Sequence, residues 1–496
     1  MYDHTRLSIL LYGYILINYL MAMPSPLHAQ WEADRKISTA EVSARLNENM
    51  GRCLAASGDT LHVVWWDSNN NGSAIFYKHS YDAGTSWSAD QRLTDIPGSA
   101  DFPSIAVSGA IVHIAYRDTS NTPYTSYYKR SRDGGNTWET KVSLGEYYWW
   151  PSISYDGSSV YVALNSNSPG NSEVHFRRST DNGTSWENVI QISNASGRSE
   201  DPTIAAGGGS VHFAWNDNRT GIMQTFYRRS SDNGSTWGQE VQLTHSTLFA
   251  YCPLLHVTGS HVDLAWGDRR SGNYNIFFLQ SADEGSTWGP EKQLTFTAGT
   301  SVYPVIARDG SNIHLVYWTM NEDVYYLYSS DGGFTWKSSL SLVSAGTKPG
   351  YPYIAASGSM LHVIWVDQRD GHSAIYYKRN PTGNLKSMNS IGNAARPIAS
   401  DISFNAYPNP FSQTICIEFN FQSEPAGIVS TSGGETSFNV YDIFGRKVLD
   451  LSDRIIYPFV AGNLTMNSSQ LPSPGIYYCR FTAGSESLTK MIVLLK

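Results

Sequence analysis

The chain has 496 residues, 41% of them hydrophobic, with 15 Trp, 31 Tyr and a formal net charge of −8. That length suits one large domain and one smaller one, and its Lys and Arg are dispersed rather than gathered into a stripe, which argues against a nucleic-acid partner. Four cysteines are too few for a disulfide scaffold.

The first 29 residues carry His4 and Arg6, then an apolar run and a small-residue cleavage site before Gln30. This reads as a secretory signal peptide over 1–29 rather than a membrane anchor. No later stretch is apolar for long enough to span a bilayer, so no transmembrane segment is expected in the mature chain.

From 30 to 380 the sequence repeats. Six copies of Ser-x-Asp-x-Gly-x-Ser/Thr-Trp place Asp82, Asp133, Asp181, Asp232, Asp283 and Asp331 at spacings of 51, 48, 51, 51 and 48 residues. They close on Trp87, Trp138, Trp186, Trp237, Trp288 and Trp336. Periods of this size mark an architecture of repeated supersecondary units. The phrase suits a tight turn: Asp accepts backbone N–H groups, Gly takes a positive φ, and Trp is expected as a buried anchor.

A second repeat is an inner-strand pattern ending in a turn glycine, as in FPSIAVSG, WPSISYDG and YPYIAASG, with a weaker first copy, RCLAASG. Its glycines, Gly58, Gly109, Gly157, Gly208, Gly259, Gly310 and Gly358, number seven. Each is followed by an alternating strand such as LHVVWWD, a third strand, the Asp turn and a short outer strand. Four strands per unit predict a propeller blade. The seventh unit stops at Arg379-Asn380 without an Asp phrase, whereas QWEADRKIST (Gln30–Thr39) reads like WSADQRLTD (Trp87–Asp95). The N-terminal strand is therefore expected to complete the last blade and leave no bare edge. The expected class is all-β: a seven-bladed β-propeller, with six blades the alternative, then a small C-terminal β-sandwich.

The Asp phrase resembles the Asp-box, or BNR repeat, of sialidase-like β-propellers. In sialidases of this fold three arginines hold the substrate carboxylate, one of them in an Arg-Ile-Pro motif, with a Tyr nucleophile, a Glu partner and an Asp acid/base. Arg-Ile-Pro is absent here, and the first unit reads Arg52-Cys53-Leu54. The Asp-boxes thus point to a fold rather than a reaction.

Residues 381–406 turn polar and aperiodic and read as a linker. Residues 407–496 bring YPNPF, VYDIFGRKV, LPSPGIYY and a final KMIVLLK. This tail resembles the C-terminal sorting domain of type IX secretion substrates. The resemblance implies the outer-membrane type IX machinery as a partner and a product that is extracellular or attached to the cell surface. Cys416 and Cys479 lie in two tail strands and could pair, while Cys53 and Cys252 are expected buried and unpaired.

Ligands of propellers usually sit at the channel mouth, on the face of the inter-blade connections. Tyr147, Tyr148, Trp149 and Trp150 form an aromatic cluster there, and Asp101, Glu146, Glu200 and Asp201 place acids on successive connections. Aromatic faces stack on sugar rings, and paired carboxylates serve glycoside hydrolysis. The catalytic candidates are therefore Glu146, Tyr148, Glu200, Asp201 and Asp101, and Tyr147, Trp149 and Trp150 are candidate ligand contacts. Trp-x-Asp-x-Arg-x-Gly turns add Arg219, Arg270 and Arg369, which can hold a carboxylate or instead knit the turns. The recurrent His62, His113, His212, His314 and His362 read as one structural position copied round the ring. No metal site and no cofactor are expected. The composite expectation is a secreted propeller that binds extracellular glycan or glycoprotein without catalysis. Glycoside hydrolysis and a structural or adhesive role are the alternatives.

Overall fold

In each repeat the turn glycine makes a two-residue hairpin. Ser57 pairs with Thr60 around Gly58, whose φ is 58°, and a Cβ there would meet nothing within 4 Å. Backbone conformation, not space, therefore selects glycine at this turn.

The computed structural model describes residues 31–39, 43–69, 72–94, 98–167, 170–297, 299–320, 323–343 and 347–381 of one unit. In the tail it describes 402–407, 414–421, 436–442, 446–451, 461–483 and 486–495. The expected signal peptide and most of the expected linker lie outside these residues. The chain divides into two compact units, residues 1–388 and 389–496.

In the first unit the strands form seven antiparallel four-stranded sets. Inner strands begin at Leu54, Gly98, Trp149, Ser199, Ala250, Ser301 and Gly350, and define blades 1 to 7. Each inner strand neighbours the next, and that of blade 7 returns to that of blade 1. Blades 1 and 2 also run together through a short parallel pairing of Gly72 with Gly98 and Ser73 with Ser99. The outer strand of blade 7 is Arg35–Lys36, which pairs with Tyr377 and Tyr376. Glu32 and Ile37 extend that ladder, donating to the Arg379 and Ile375 carbonyls at 2.9 and 2.8 Å.

Second strands are buried on both faces because each blade is sandwiched between two others. Trp65, Trp215, Trp266 and Trp365 on these strands have no exposure at all. The Asp-box tryptophans differ from expectation: all six are half-buried. Each meets the preceding blade's third strand edge-on, as Trp237 does Phe176 at 5.0 Å, so part of the ring stays in solvent. The second-strand histidines are structural. His62, His113, His212, His314 and His362 each bond through Nδ1 to the hydroxyl of Tyr77, Tyr128, Tyr227, Tyr326 and Tyr377. Burial lowers their pKa values to about 3 or 4, which keeps them neutral.

The Asp-box turns follow the chemistry of their residue types. Ser86 donates its N–H to Asp82 Oδ1 at 2.8 Å and its hydroxyl to Oδ2 at 2.6 Å, while Gly84 N–H donates to Ser80 Oγ. These bonds hold the Asp82 carboxyl down at about 2. Each turn also donates to the glycine turn of its own blade, as Ala83 N–H does to Asp59 O at 2.8 Å. Both turn types therefore lie on one face, opposite the connections between blades.

The tail holds two antiparallel sheets, one of three strands and one of four. The possible Cys416–Cys479 pairing is not made: Cys479 is a free, buried thiol in the four-stranded sheet, and Cys416 belongs to the other. Cys53 and Cys252 are free and buried.

Candidate functional site

A ring of seven residues marks the connection face at the channel. Met50, Phe102, Trp150, Asp201, Cys252, Tyr303 and Tyr351 all have φ between 49° and 56°. Six of them precede a proline. In blades 2 to 7 the pairing takes one extra residue at this point, as between Asp101 and Ser104. Bulges of this kind re-aim side chains, and left-handed non-glycine residues cost roughly 1–3 kcal/mol each, a cost found mostly where function needs the geometry. Neighbours in the ring touch: Phe102 lies 6.5 Å from Trp150 edge-on, and Tyr303 lies 5.0 Å from Tyr351.

The mouth inside this ring is filled. Segment 46–53 crosses it, with Asn47 Nδ2 donating to Pro103 O at 2.9 Å and Asn47 O accepting from the Tyr353 hydroxyl at 2.6 Å. Met50 reaches a small void shared with Leu254, Tyr303 and Tyr351, on blades 5 to 7. The channel opens toward the Asp-box side as a cavity of about 380 Å³ lined by small residues such as Ala56, Ala106, Ala206 and Ala356. Arg52 caps its inner end, donating across the axis to Leu255 O at 2.8 Å. Among the described residues, the connection face has no deep pocket at the channel mouth.

It has instead a shelf of aromatic rings. Tyr124 stacks on Trp149 at 5.6 Å and 10°, and Trp149 stacks on Trp150 at 5.2 Å and 17°. Tyr147 stands edge-on to Tyr124 and is 45% exposed. Phe102 continues the row to Trp66 at 6.2 Å. The Trp149 indole donates to Asn165 at 2.6 Å, which fixes its plane. Tyr148 is not part of this surface. It packs inward on His175, 5.2 Å away, and makes no hydrogen bond to the exposed Glu146.

The acids are scattered in environment. Arg117 grips Asp101 in a bidentate pair at 2.8 and 2.6 Å. Glu200 pairs with Arg198 at 3.3 Å. Asp201 is 4% exposed, accepts from Asn216 at 2.9 Å, and is pushed up to about 6, first by burial and secondarily by Glu200. It is the single acid of the seven-residue ring.

The turn arginines are committed within the fold. Arg219 holds Asp217 through Nε and Nη2 at 2.9 and 2.6 Å, reaches Glu240, and lies 4.4 Å over Phe226. Arg270 and Arg369 repeat the arrangement on Asp268 and Asp367. Among the described residues no group of three metal-binding side chains occurs. Sequence reading missed Phe102, Tyr124 and the plug. Phe102 carries a signal in the recurrent x-Pro, whereas Tyr124 sits in a turn with no repeat.

Residues 19–264 match the BNR repeat-like domain, and residues 405–495 match the secretion system C-terminal sorting domain. The chain thus carries a BNR repeat-like domain over the first part of its β-propeller. It carries a sorting domain that marks it for type IX secretion, across the outer membrane to the cell surface or the medium. No curated protein matches it in sequence. Among solved structures it is similar to a polysaccharide lyase, an ulvan lyase bound to -[GlcA(1-4)Rha3S]-. That match has 11% identity and a TM-score of 0.50, and covers 69% of this chain and 95% of that one. A Trypanosoma rangeli sialidase aligns at 14% identity and a TM-score of 0.44, covering 81% of this chain and 85% of the other. At these identities the likeness concerns fold alone.

Proposed function

We propose that this protein binds extracellular glycan on its connection face without cleaving it. The observation that carries the reading is the continuous row Tyr147–Tyr124–Trp149–Trp150–Phe102 beside a plugged mouth. A flat aromatic row offers stacking surface to successive sugar rings, and segment 46–53 occupies the channel mouth, where a scissile bond would need shielding from water. Export across the outer membrane, for which the sorting domain marks the chain, supports a role outside the cell.

A second reading, hydrolysis, rests on Asp201, whose raised pKa suits a general acid. Against it stand its burial and the binding of Asp101 by Arg117.

Two assays on the full-length chain separate the readings. Glycan-array binding that is lost in Trp149→Ala and kept in Asp201→Asn supports the shelf. Release of fluorophore from any member of a glycoside panel, α-sialoside included, and its loss in Asp201→Asn would overturn binding without catalysis.

A further inference from the structure

Three blades share one staple built from two acids and an arginine. In blade 4 the buried Asp217 holds Arg219, whose other side meets Glu240. Blade 5 repeats it with Asp268, Arg270 and Glu291, and blade 7 with Asp367, Arg369 and Asp34. Blade 2 uses Lys141 on Asp118 at 3.1 Å. In all four, the acid at the end of the second strand faces a cation.

Blade 1 keeps both acids and lacks the arginine. Asp67 stands two residues after Trp65 as Asp217 does after Trp215, and Asp90 follows Trp87 by three as Glu240 follows Trp237. The arginine position is Asn69. Asp67 is 4% exposed and has the Trp65 indole beside it, but neither carboxylate oxygen makes a well-formed hydrogen bond and no described cation pairs with it. Its neighbour across the ladder is Ala44, where blade 4 has Ser199, whose hydroxyl donates to Asp217 at 2.9 Å. Asp90 is bound by Lys78 at 2.7 Å and by Thr39. In blade 7 the matching lysine, Lys378, binds Asp34 in addition to Arg369, so two acids meet two cations. Blade 1 is left one positive charge short.

A buried carboxylate with no counterpart is among the costliest groups a fold can hold, and clustered carboxylate oxygens suit hard cations. We propose that the gap between Asp67 and Asp90 is a cation site, taking Na⁺ or Ca²⁺ from the medium where the sister blades place a guanidinium. Extracellular modules commonly bind Ca²⁺ with dissociation constants of about 10⁻⁴–10⁻³ M, within reach of a site with few carboxylates.

All 15 tryptophans lie between 31 and 365, so intrinsic fluorescence of the full-length chain reports the propeller alone. Burial and the Asp90 charge push Asp67 up to about 7, so melts are run at pH 8, where it is ionised. Ionic strength is held constant with choline chloride, NaCl or CaCl₂. The wild type should melt about 4 °C higher once the bound cation exceeds its dissociation constant about a hundredfold. A rise in Na⁺ identifies a monovalent site, and a rise in Ca²⁺ alone a divalent one. Asp67→Asn should abolish the response. Asn69→Arg should abolish it too and melt above the wild type in choline, because it restores the sister-blade guanidinium. Equal melting of the wild type in all three salts would overturn the proposal, as would an Asp67→Asn variant that responds like the wild type.

Discussion

Trp31 meets Tyr326 edge-on, with ring centroids 5.3 Å apart at 73°. Six Asp-box tryptophans make the same contact with the preceding blade, from Trp87 on Tyr377 at 5.0 Å to Trp336 on Phe278 at 5.2 Å. The seventh contact comes from a segment that has no Asp-box. Three residues on, Asp34 accepts from both Arg369 and Lys378 at 2.8 Å, as Glu240 accepts from Arg219 in blade 4. The N-terminal strand thus brings an aromatic clasp and an acid as well as a ladder, and these lock the last blade to the first strand of the chain.

Trp31→Ala should accordingly destabilise the propeller by about 2–3 kcal/mol, below the usual range for a deeply buried Trp because the ring is half-exposed. Trp237→Ala should cost the same, since the contacts are alike. Guanidinium titration followed by Trp fluorescence measures both. A Trp31 variant as stable as the wild type would show that the ring does not depend on its N-terminal clasp.

Arg219→Ala removes one partner of a carboxylate that has no exposure. Breaking a pair of this kind costs roughly 3–5 kcal/mol, because the abandoned Asp217 stays buried. The partly exposed arginine puts the expected loss at the lower end, about 3 kcal/mol. Glycan binding per folded molecule should be unchanged, since the guanidinium is already committed to Asp217 and Glu240. Loss of binding with stability intact would make Arg219 a ligand contact instead.

The repeats were legible because their chemistry is local. An Asp-box turn is satisfied almost wholly by its own Ser, Asp and Gly, and each glycine turn by its backbone, so spacing alone located them. Ring closure could be read because residues 30–39 copy an outer strand. The site was legible only in part. Four adjacent aromatics look equivalent in sequence, yet Tyr148 turns inward while Tyr147 and Trp149 meet Tyr124. Glu200 and Asp201 also look alike, but one pairs with an exposed arginine and the other is sealed under the ring. Most of the plug over 46–53 precedes the first, weaker repeat copy, and its place depends on carbonyls of blades 2 and 5.

Trp149→Ala should weaken binding of an oligosaccharide by about 10-fold or more, because a stacked aromatic contact contributes roughly 0.5–1.5 kcal/mol beyond its buried area. Tyr148→Ala should leave affinity unchanged. The two substitutions are adjacent in the chain, with Trp149 on the shelf and Tyr148 against His175, so titration calorimetry on the pair distinguishes loss of the shelf from general damage to blade 3.

Asp201 supplies a pH dependence with a definite sign. Its folded pKa, about 6, lies above the ordinary carboxylate value of 3.8, so the folded state holds the proton more tightly than the unfolded chain. Its contribution therefore favours folding at low pH and is lost as pH rises from about 4 through about 6. Relative to Asp201→Asn, which is neutral throughout, the wild type should lose up to ~3 kcal/mol between pH 4 and pH 7. Unfolding free energies of the two proteins, compared at intervals across that window, should diverge steadily and then run parallel above pH 7. A constant difference would mean that Asp201 is ionised throughout, held by Asn216 and Tyr251 strongly enough to offset its burial.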